Sequence, residues 1–212
     1  MKYKYVIFDF DGTLADTEDI NFTIYLDLAD KYKLKKISKS DMGSLKKMSA
    51  FDLIDYLDIK KRNIPAMIRF GRKILHGSIE NIDMCKPTIA EVMLKLKDND
   101  IILGILTSNS KKNVNKFIEK HQLMMFTFIE NSGMFGKERV FQKLLRRYNI
   151  NKDEVLYVGD EIRDITATKN IGIDIASVDW GYNSRDGLEK NKPKYLISEP
   201  EELLEICLNH KE

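Results

Sequence analysis

Cysteine is nearly missing from this chain. Cys85 and Cys207 are the two thiols; they stand far apart, in apolar or helical surroundings, without the spacing of a zinc site or a redox pair. That argues against a disulfide framework and sets the expectation of a reducing, cytoplasmic compartment. Proline occurs four times and glycine eleven, beside 43% hydrophobic and 32% charged residues, a balance that excludes collagen-like and disordered classes. Long apolar runs are missing as well. The best membrane candidate, residues 101–106, is far below the ~18 residues of a spanning helix. The apolar stretch after Lys2 and Lys4 is interrupted by Asp9 and Asp11, too soon for a secretory leader with a core of at least ~7 apolar residues. A strong charge of one sign is also lacking: a net +2 gives no reason to expect nucleic acid. No repeat or low-complexity segment stands out.

What charge there is lies unevenly. Residues 31–75 hold 13 Lys or Arg against four Asp. The run reads either as a solvated helical face or as a positive lid that draws in anionic substrates.

At 212 residues the chain exceeds the common domain size of about 100–150, so a core with a smaller insert is expected. Five β-branched or aromatic runs read as strands: 3–10, 101–107, 154–160, 173–178 and 195–197. Helical periodicity marks 88–99, 111–121, 138–149, 161–170 and 200–209 between and after them. Alternating strand and helix predicts an α/β fold, a mostly parallel sheet with helices on both faces. The rhythm breaks between residues 16 and 84, where helices are expected near 17–32, 49–57 and 64–76 with turns at ISKSDMGS and DIKKRN. The expected division is a core of 1–15 and 85–212 and an all-helical cap of 16–84, inserted after the first strand.

The first strand runs into Asp9-Phe10-Asp11-Gly12-Thr13-Leu14. In a continuing strand the two aspartates would share a face, and ligands of open α/β sheets bind beyond the carboxyl ends of the strands. Paired carboxylates there repel one another unless a cation holds them, and a hard divalent ion such as magnesium meets that need. The plain alternative is a DG turn with Asp9 capping a helix. Three later segments repeat the theme of polar groups at strand or helix ends. Thr107-Ser108-Asn109 closes the second strand, where the threonine hydroxyl and the following N–H groups suit phosphoryl oxygens, or where Asn109 or Ser110 caps the next helix. Lys137 stands at a helix entrance, where its charge opposes the macrodipole and asks for an anion. Val158-Gly159-Asp160-Glu161-Ile162-Arg163-Asp164 ends the third strand with a further set of carboxylates.

In order and type these four segments resemble the signatures of haloacid dehalogenase-like phosphohydrolases, and the GYNS and PEELLE segments are similar to phosphoglycolate phosphatase-like members. The resemblance implies a Rossmann-like core with a small helical cap and a Mg2+-dependent phosphatase acting on a small organic phosphate monoester. It casts Asp9 as the nucleophile and Asp11 as the acid/base. Thr107, Ser108, Asn109 and Lys137 would bind the phosphoryl group, and Asp9, Asp160 and the backbone carbonyl of Asp11 the metal. Asp164 and Glu161 would support the metal indirectly or through bound water. One departure is that Glu138-Arg139 follows Lys137 where a proline pair is commoner. Lys46 and Lys47, in a segment resembling the family's specificity loop, are candidates for a second substrate anion; Arg69, Arg72 and Lys73 are weaker ones, and Trp180-Gly181-Tyr182 reads as packing. A sugar-phosphate phosphomutase and a catalytically silent binding protein are the alternatives. The expected partner is a small phosphate ester, with no nucleic acid or membrane, in a monomer or weak homodimer.

Overall fold

The computed structural model describes residues 2–133 and 136–208. Six strands form one parallel sheet: β1 Tyr5–Phe8, β2 Ile102–Thr107, β3 Phe128–Asn131, β4 Val155–Gly159, β5 Asp174–Val178 and β6 Tyr195–Ile197, in the order β3-β2-β1-β4-β5-β6. Among the described residues ten α-helices accompany them: α1 Glu18–Tyr32, α2 Met42–Leu45, α3 Ala50–Tyr56, α4 Ile64–Ser78, α5 Ile89–Asp98, α6 Lys111–Lys120, α7 Lys137–Arg147, α8 Ile162–Ile171, α9 Arg185–Lys190 and α10 Glu202–Leu208. Of the helix expected at 200–209, residue 209 lies outside the described residues.

The strands form where β-branched and aromatic residues cluster, because a sheet covered on both faces buries every side chain. Val6 and Phe8 point into one apolar layer, Ile7 into the other. Leu156 and Val158 share the first layer, Val155 and Tyr157 the second. The second layer lies beneath α7 and α8, and this side becomes important for Tyr157. Phe8 is in register with Ile105 on one side and Val158 on the other. β1 is therefore central, with the chain wound away from it in both directions, and its carboxyl end opens on the crevice where the strand order switches.

Two elements were not expected. β3 is a four-residue edge strand with mostly half-buried side chains, too short for alternation to show. α9 is a polar six-residue helix containing Gly187. The supposed turn at ISKSDMGS is also more ordered than its composition suggests, folding into a short 3-10 turn at Lys39–Asp41 and the helix α2. There the Ser38 backbone N–H donates to the Asp41 carboxylate at 2.7 Å, a local cap for the turn.

Between residues 16 and 84 the chain forms α1 to α4 and, among the described residues, no strand of the sheet. The two ends of this segment meet. Ala15 bridges to Met84, Asp16 N–H donates to Asp83 O and Cys85 N–H to Leu14 O, each at 2.9 Å. No helix among the described residues is long and apolar enough to cross a membrane.

Candidate active site

β1 ends at Phe8, so the two aspartates that follow do not continue its pleat. Asp9 is still tied to the sheet, its N–H donating to Val158 O at 2.8 Å. Phe10 then turns into the core, edge-on to Phe117 at 5.1 Å between centroids, and Gly12 adopts φ 74°, a left-handed conformation that glycine takes without strain. The shared face expected for Asp9 and Asp11 is thus corrected: the turn sends the two carboxylates to different partners.

Asp9 belongs to a buried cluster. Its Oδ2 accepts from Lys137 Nζ at 2.7 Å, and its Oδ1 accepts from Phe10 N–H at 2.7 Å. Lys137 also donates to Asp164 Oδ1 and, at 2.7 Å, to the Tyr157 hydroxyl. Asp160 lies beside them, its carboxylate accepting from Thr13 Oγ1 at 2.8 Å and from Tyr182 N–H at 2.7 Å. Lys137 is the first residue of α7, one position earlier than periodicity implied, which aims its side chain back at the strand ends. Lys143, further along the helix, is exposed. Burial works to lower the Lys137 pKa, but the carboxylates of Asp164 and Asp9 outweigh it and hold the ammonium charged. Tyr157 was not singled out in the sequence, because a tyrosine in a strand reads as core. Its hydroxyl donates to Leu106 O at 3.1 Å and so fixes the ammonium in place.

Oxygens of Asp9, Asp160 and Asp164 lie within 4.8 Å of one another, and the buried Asp164 Oδ2 has no hydrogen-bond partner. Burial, then the charges of Glu161, Asp9 and Asp164, push the Asp160 pKa well up. Burial and Asp9 likewise push Asp164 up to about 7 against the pull of Lys137. Hard oxygen donors in excess of local positive charge, one of them orphaned, fit a divalent cation such as Mg2+. Glycines make room for the carboxylates: a Cβ at Gly12 or Gly181 would fall closer than 3.0 Å to the Asp160 carboxylate, and one at Gly159 would crowd Asp164 Oδ2. Asp164, expected to support the metal indirectly, stands directly beside Asp9 and Asp160; the part expected of Asp11 is its backbone carbonyl, which the direction of its carboxylate leaves unchanged.

Asp11 accepts from Asn109 Nδ2 at 3.0 Å to each oxygen and from Thr17 Oγ1 at 3.1 Å. Burial and the nearby Asp9 charge raise its pKa to about 7 despite those donors, a value suited to moving protons near neutrality. Thr107 is buried at the end of β2, and its Oγ1 accepts from Asn109 N–H at 3.0 Å. Both the Asn109 N–H and the Asn109 side chain are thereby committed within the protein, so this residue places Asp11 instead of offering itself to a phosphoryl group. Ser108 lines the adjoining cavity.

That cavity, about 420 Å³, lies between the helical insertion and the carboxyl ends of the strands, and both sides line it. Lys46 reaches it, but its ammonium is paired with Glu18 at 2.7 Å and donates to Gly181 O at 3.2 Å. Lys47 points away to Asp186, 3.6 Å distant, and is half-exposed. Glu161 is bound to Arg163 and is not one of the three clustered carboxylates, though its charge acts on Asp160. Arg72, ranked low in the sequence, lines the cavity with its guanidinium on the Ser108 carbonyl and its buried Nε without a hydrogen-bond partner. Arg69 and Lys73 are exposed. Trp180 packs on the core and donates to Thr13 O at 3.2 Å. Tyr182, expected only to pack, also borders the cavity and shares its hydroxyl with Thr17 at 2.8 Å.

This arrangement has relatives. A phosphoglycolate phosphatase from Synechococcus elongatus is 27% identical over 202 residues, covering 94% of this chain and 95% of that protein. Pyrophosphatase PpaX from Bacillus cereus is 26% identical over 214 residues, covering 99% and 98%. In three dimensions the chain is similar to a Clostridium acetobutylicum protein described as a predicted phosphatase, with a TM-score of 0.83 at 21% identity over 99% of this chain and 100% of that one. The family model described as haloacid dehalogenase-like hydrolase matches residues 6–178. With that match running from β1 through β5 and enclosing the whole carboxylate and lysine cluster, the chain belongs to the haloacid dehalogenase-like hydrolase family.

Proposed function

We propose that the protein is a phosphatase that hydrolyses a small organic phosphate monoester in two displacements through Asp9. One observation carries the reading: Asp9, Lys137, Asp160 and Asp164 meet in a buried cluster at the carboxyl ends of β1 and β4, with Asp11 beside it. A phosphoglycolate phosphatase and a pyrophosphatase among the relatives support the same class of reaction.

A carboxylate oxygen of Asp9 attacks phosphorus and forms an acyl phosphate as the bond to the leaving alcohol breaks. Asp11, protonated at a pKa of about 7, gives its proton to the departing oxygen. As a carboxylate it then takes a proton from the water that attacks phosphorus, and the bond to Asp9 breaks with release of inorganic phosphate. Asn109 and Thr17 hold Asp11 in position for both transfers. Lys137 offsets charge gathering on Asp9 and the phosphoryl oxygens, while the Thr107 hydroxyl and the Ser108 N–H, at the approach to α6, are assigned to those oxygens. Asp9, Asp160 and Asp164 would hold Mg2+, whose chemistry when bound is to neutralise negative charge on the transferring group. The helical insertion covers the site and limits water during the first transfer. The two unbridged cysteines support a cytoplasmic setting.

The test is phosphate release from a panel of monoesters with and without Mg2+, run beside Asp9→Asn, with acid-quenched protein weighed for a phosphoryl adduct. Release that needs Mg2+ and Asp9, with an adduct in the wild type alone, is expected. Wild-type turnover by Asp9→Asn overturns the reading.

A further inference from the structure

Asn113 is a buried polar residue to which the proposed chemistry gives no part. It sits in the first turn of α6 and is 1% exposed, where its amide is costly unless its donors and acceptor are all bonded. They are bonded. Asn113 Nδ2 donates to Asn109 Oδ1 at 2.9 Å and to the Arg72 carbonyl at 3.2 Å, and Asn113 Oδ1 lies 2.9 Å from His76 Nδ1. Arg72 and His76 belong to α4 of the insertion, so one side chain of the core holds both the Asn109 amide and that helix.

Backbone groups fix the direction of these bonds. The Ser110 N–H can only donate, so the Asn109 atom it meets at 2.7 Å is the amide oxygen. Asn109 therefore turns its NH2 to Asp11, 3.0 Å from each carboxylate oxygen. The Arg72 carbonyl can only accept, so the NH2 of Asn113 lies against it and the oxygen of Asn113 faces His76. The imidazole then carries a proton on Nδ1. Donors point one way along the whole run, from His76 through Asn113 and Asn109 to Asp11, and bonds aligned in this manner strengthen one another.

We infer that Asn113 is a positioning residue for the acid/base: it locks the Asn109 amide that aims Asp11, and it ties that aim to the seat of α4 on the core. This rests on the phosphatase reading, in which Asp11 gives a proton to the leaving oxygen. Without Asn113 the Asn109 amide keeps its bond to Ser110 N–H but loses the contact that fixes its plane, and Asp11 loses a rigid pair of donor contacts. The Arg72 guanidinium, on the Ser108 carbonyl, anchors the same helix to the same loop.

The experiment measures kcat and KM on butyl phosphate and the burst rate on p-nitrophenyl phosphate, with Mg2+ throughout. It compares the wild type with Asn113→Ala, His76→Ala, Asp11→Asn and the variant carrying both Asn113→Ala and Asp11→Asn. Asn113→Ala should lower kcat on the alkyl ester roughly tenfold, a part of the ~10²–10⁴-fold that a positioned acid supplies. KM should hold, and so should the burst on the aryl ester, whose leaving group needs no proton. A merely structural role would slow both esters alike. In the Asp11→Asn background the same substitution should cost nothing more, because its route of action is gone. His76→Ala, at an exposed position, should repeat the ester-selective loss on a smaller scale, and it decides the matter if Asn113→Ala does not fold. Equal losses on the two esters, no loss on either, or full additivity with Asp11→Asn overturn this inference and leave the phosphatase reading standing. If Asp11→Asn itself slows both esters equally, the proton-donor role falls and this inference with it. No release from any ester by the wild type overturns the whole reading.

Discussion

The ammonium of Lys137 lies 2.7 Å from Asp9 Oδ2, with the two side chains 7% and 3% exposed. A pair so buried repays its desolvation only while both partners are present. Lys137→Ala leaves Asp9 and Asp164 facing one another without that ammonium and is expected to destabilise the metal-free protein by about 3–5 kcal/mol. Lys143→Ala, on the exposed face of the same helix, should stay within about 0.5 kcal/mol of wild type. Urea unfolding with a chelator present compares them, and equal midpoints would sink the assignment.

Asp11 donates a proton in one half of the proposed cycle, so its importance depends on how badly the leaving oxygen needs one. Asp11→Asn should slow release from an alkyl phosphate by about 10²–10⁴-fold. On p-nitrophenyl phosphate, whose leaving group departs as a stable anion, the first-step loss should be much smaller. Burst kinetics on the aryl ester isolate that step. An equal loss on both esters speaks against the proton-donor role.

The clustered carboxylates also predict a linkage between pH, metal and stability. Asp11 and Asp164 have pKa values raised to about 7, so the folded protein keeps protons that the unfolded chain has already released. Their contribution to stability is present below the ordinary carboxylate range and is lost as pH rises through about 7. Mg2+ compensates the ionised forms, so the rise in Tm on adding it should be greater at pH 8 than at pH 5. Thermal melts with Mg2+ or chelator at both values check this, and an equal or reversed increment contradicts it.

Gly181→Ala tests the packing around Asp160 without changing a charge. The new Cβ would fall closer than 3.0 Å to a carboxylate already fastened by Thr13 and Tyr182. Displacement by about an ångström is enough to cost ~10²-fold in rate. We expect kcat/KM to fall by that order and the Mg2+ requirement to shift to higher concentration, while Gly43→Ala, which meets nothing within 4 Å, leaves both unchanged. A Gly181→Ala enzyme with wild-type Mg2+ dependence would count against Asp160 as a ligand.

The parts of this site that were legible in the sequence share a physical reason. Asp9 and Asp160 each follow an apolar strand, where a carboxylate interrupts a pattern that otherwise demands burial. Lys137 was legible from its place at the head of an amphipathic helix. Tyr157 was not, because its ring satisfies the strand pattern and only its hydroxyl takes part. Arg72 was hidden in a basic stretch, and nothing in the spacing told a cavity-lining guanidinium from its exposed neighbours Arg69 and Lys73. The different directions of Asp9 and Asp11 depend on where β1 stops, and strand ends are set by tertiary pairing that residue alternation does not encode. β3 fails for the same reason, being defined by its partner β2 across four residues.

The meeting of Ala15 with Met84 has a consequence for how such a molecule can be rebuilt. Because the chain departs from the sheet and comes back at the same spot, everything between those positions is a detour whose endpoints are already neighbours. Its helices can be lengthened, shortened or exchanged for another module while the strand ends keep their spacing. Under the proposed function, the residues that do the chemistry and much of the wall around the substrate lie on separable stretches of polypeptide, free to change at different rates.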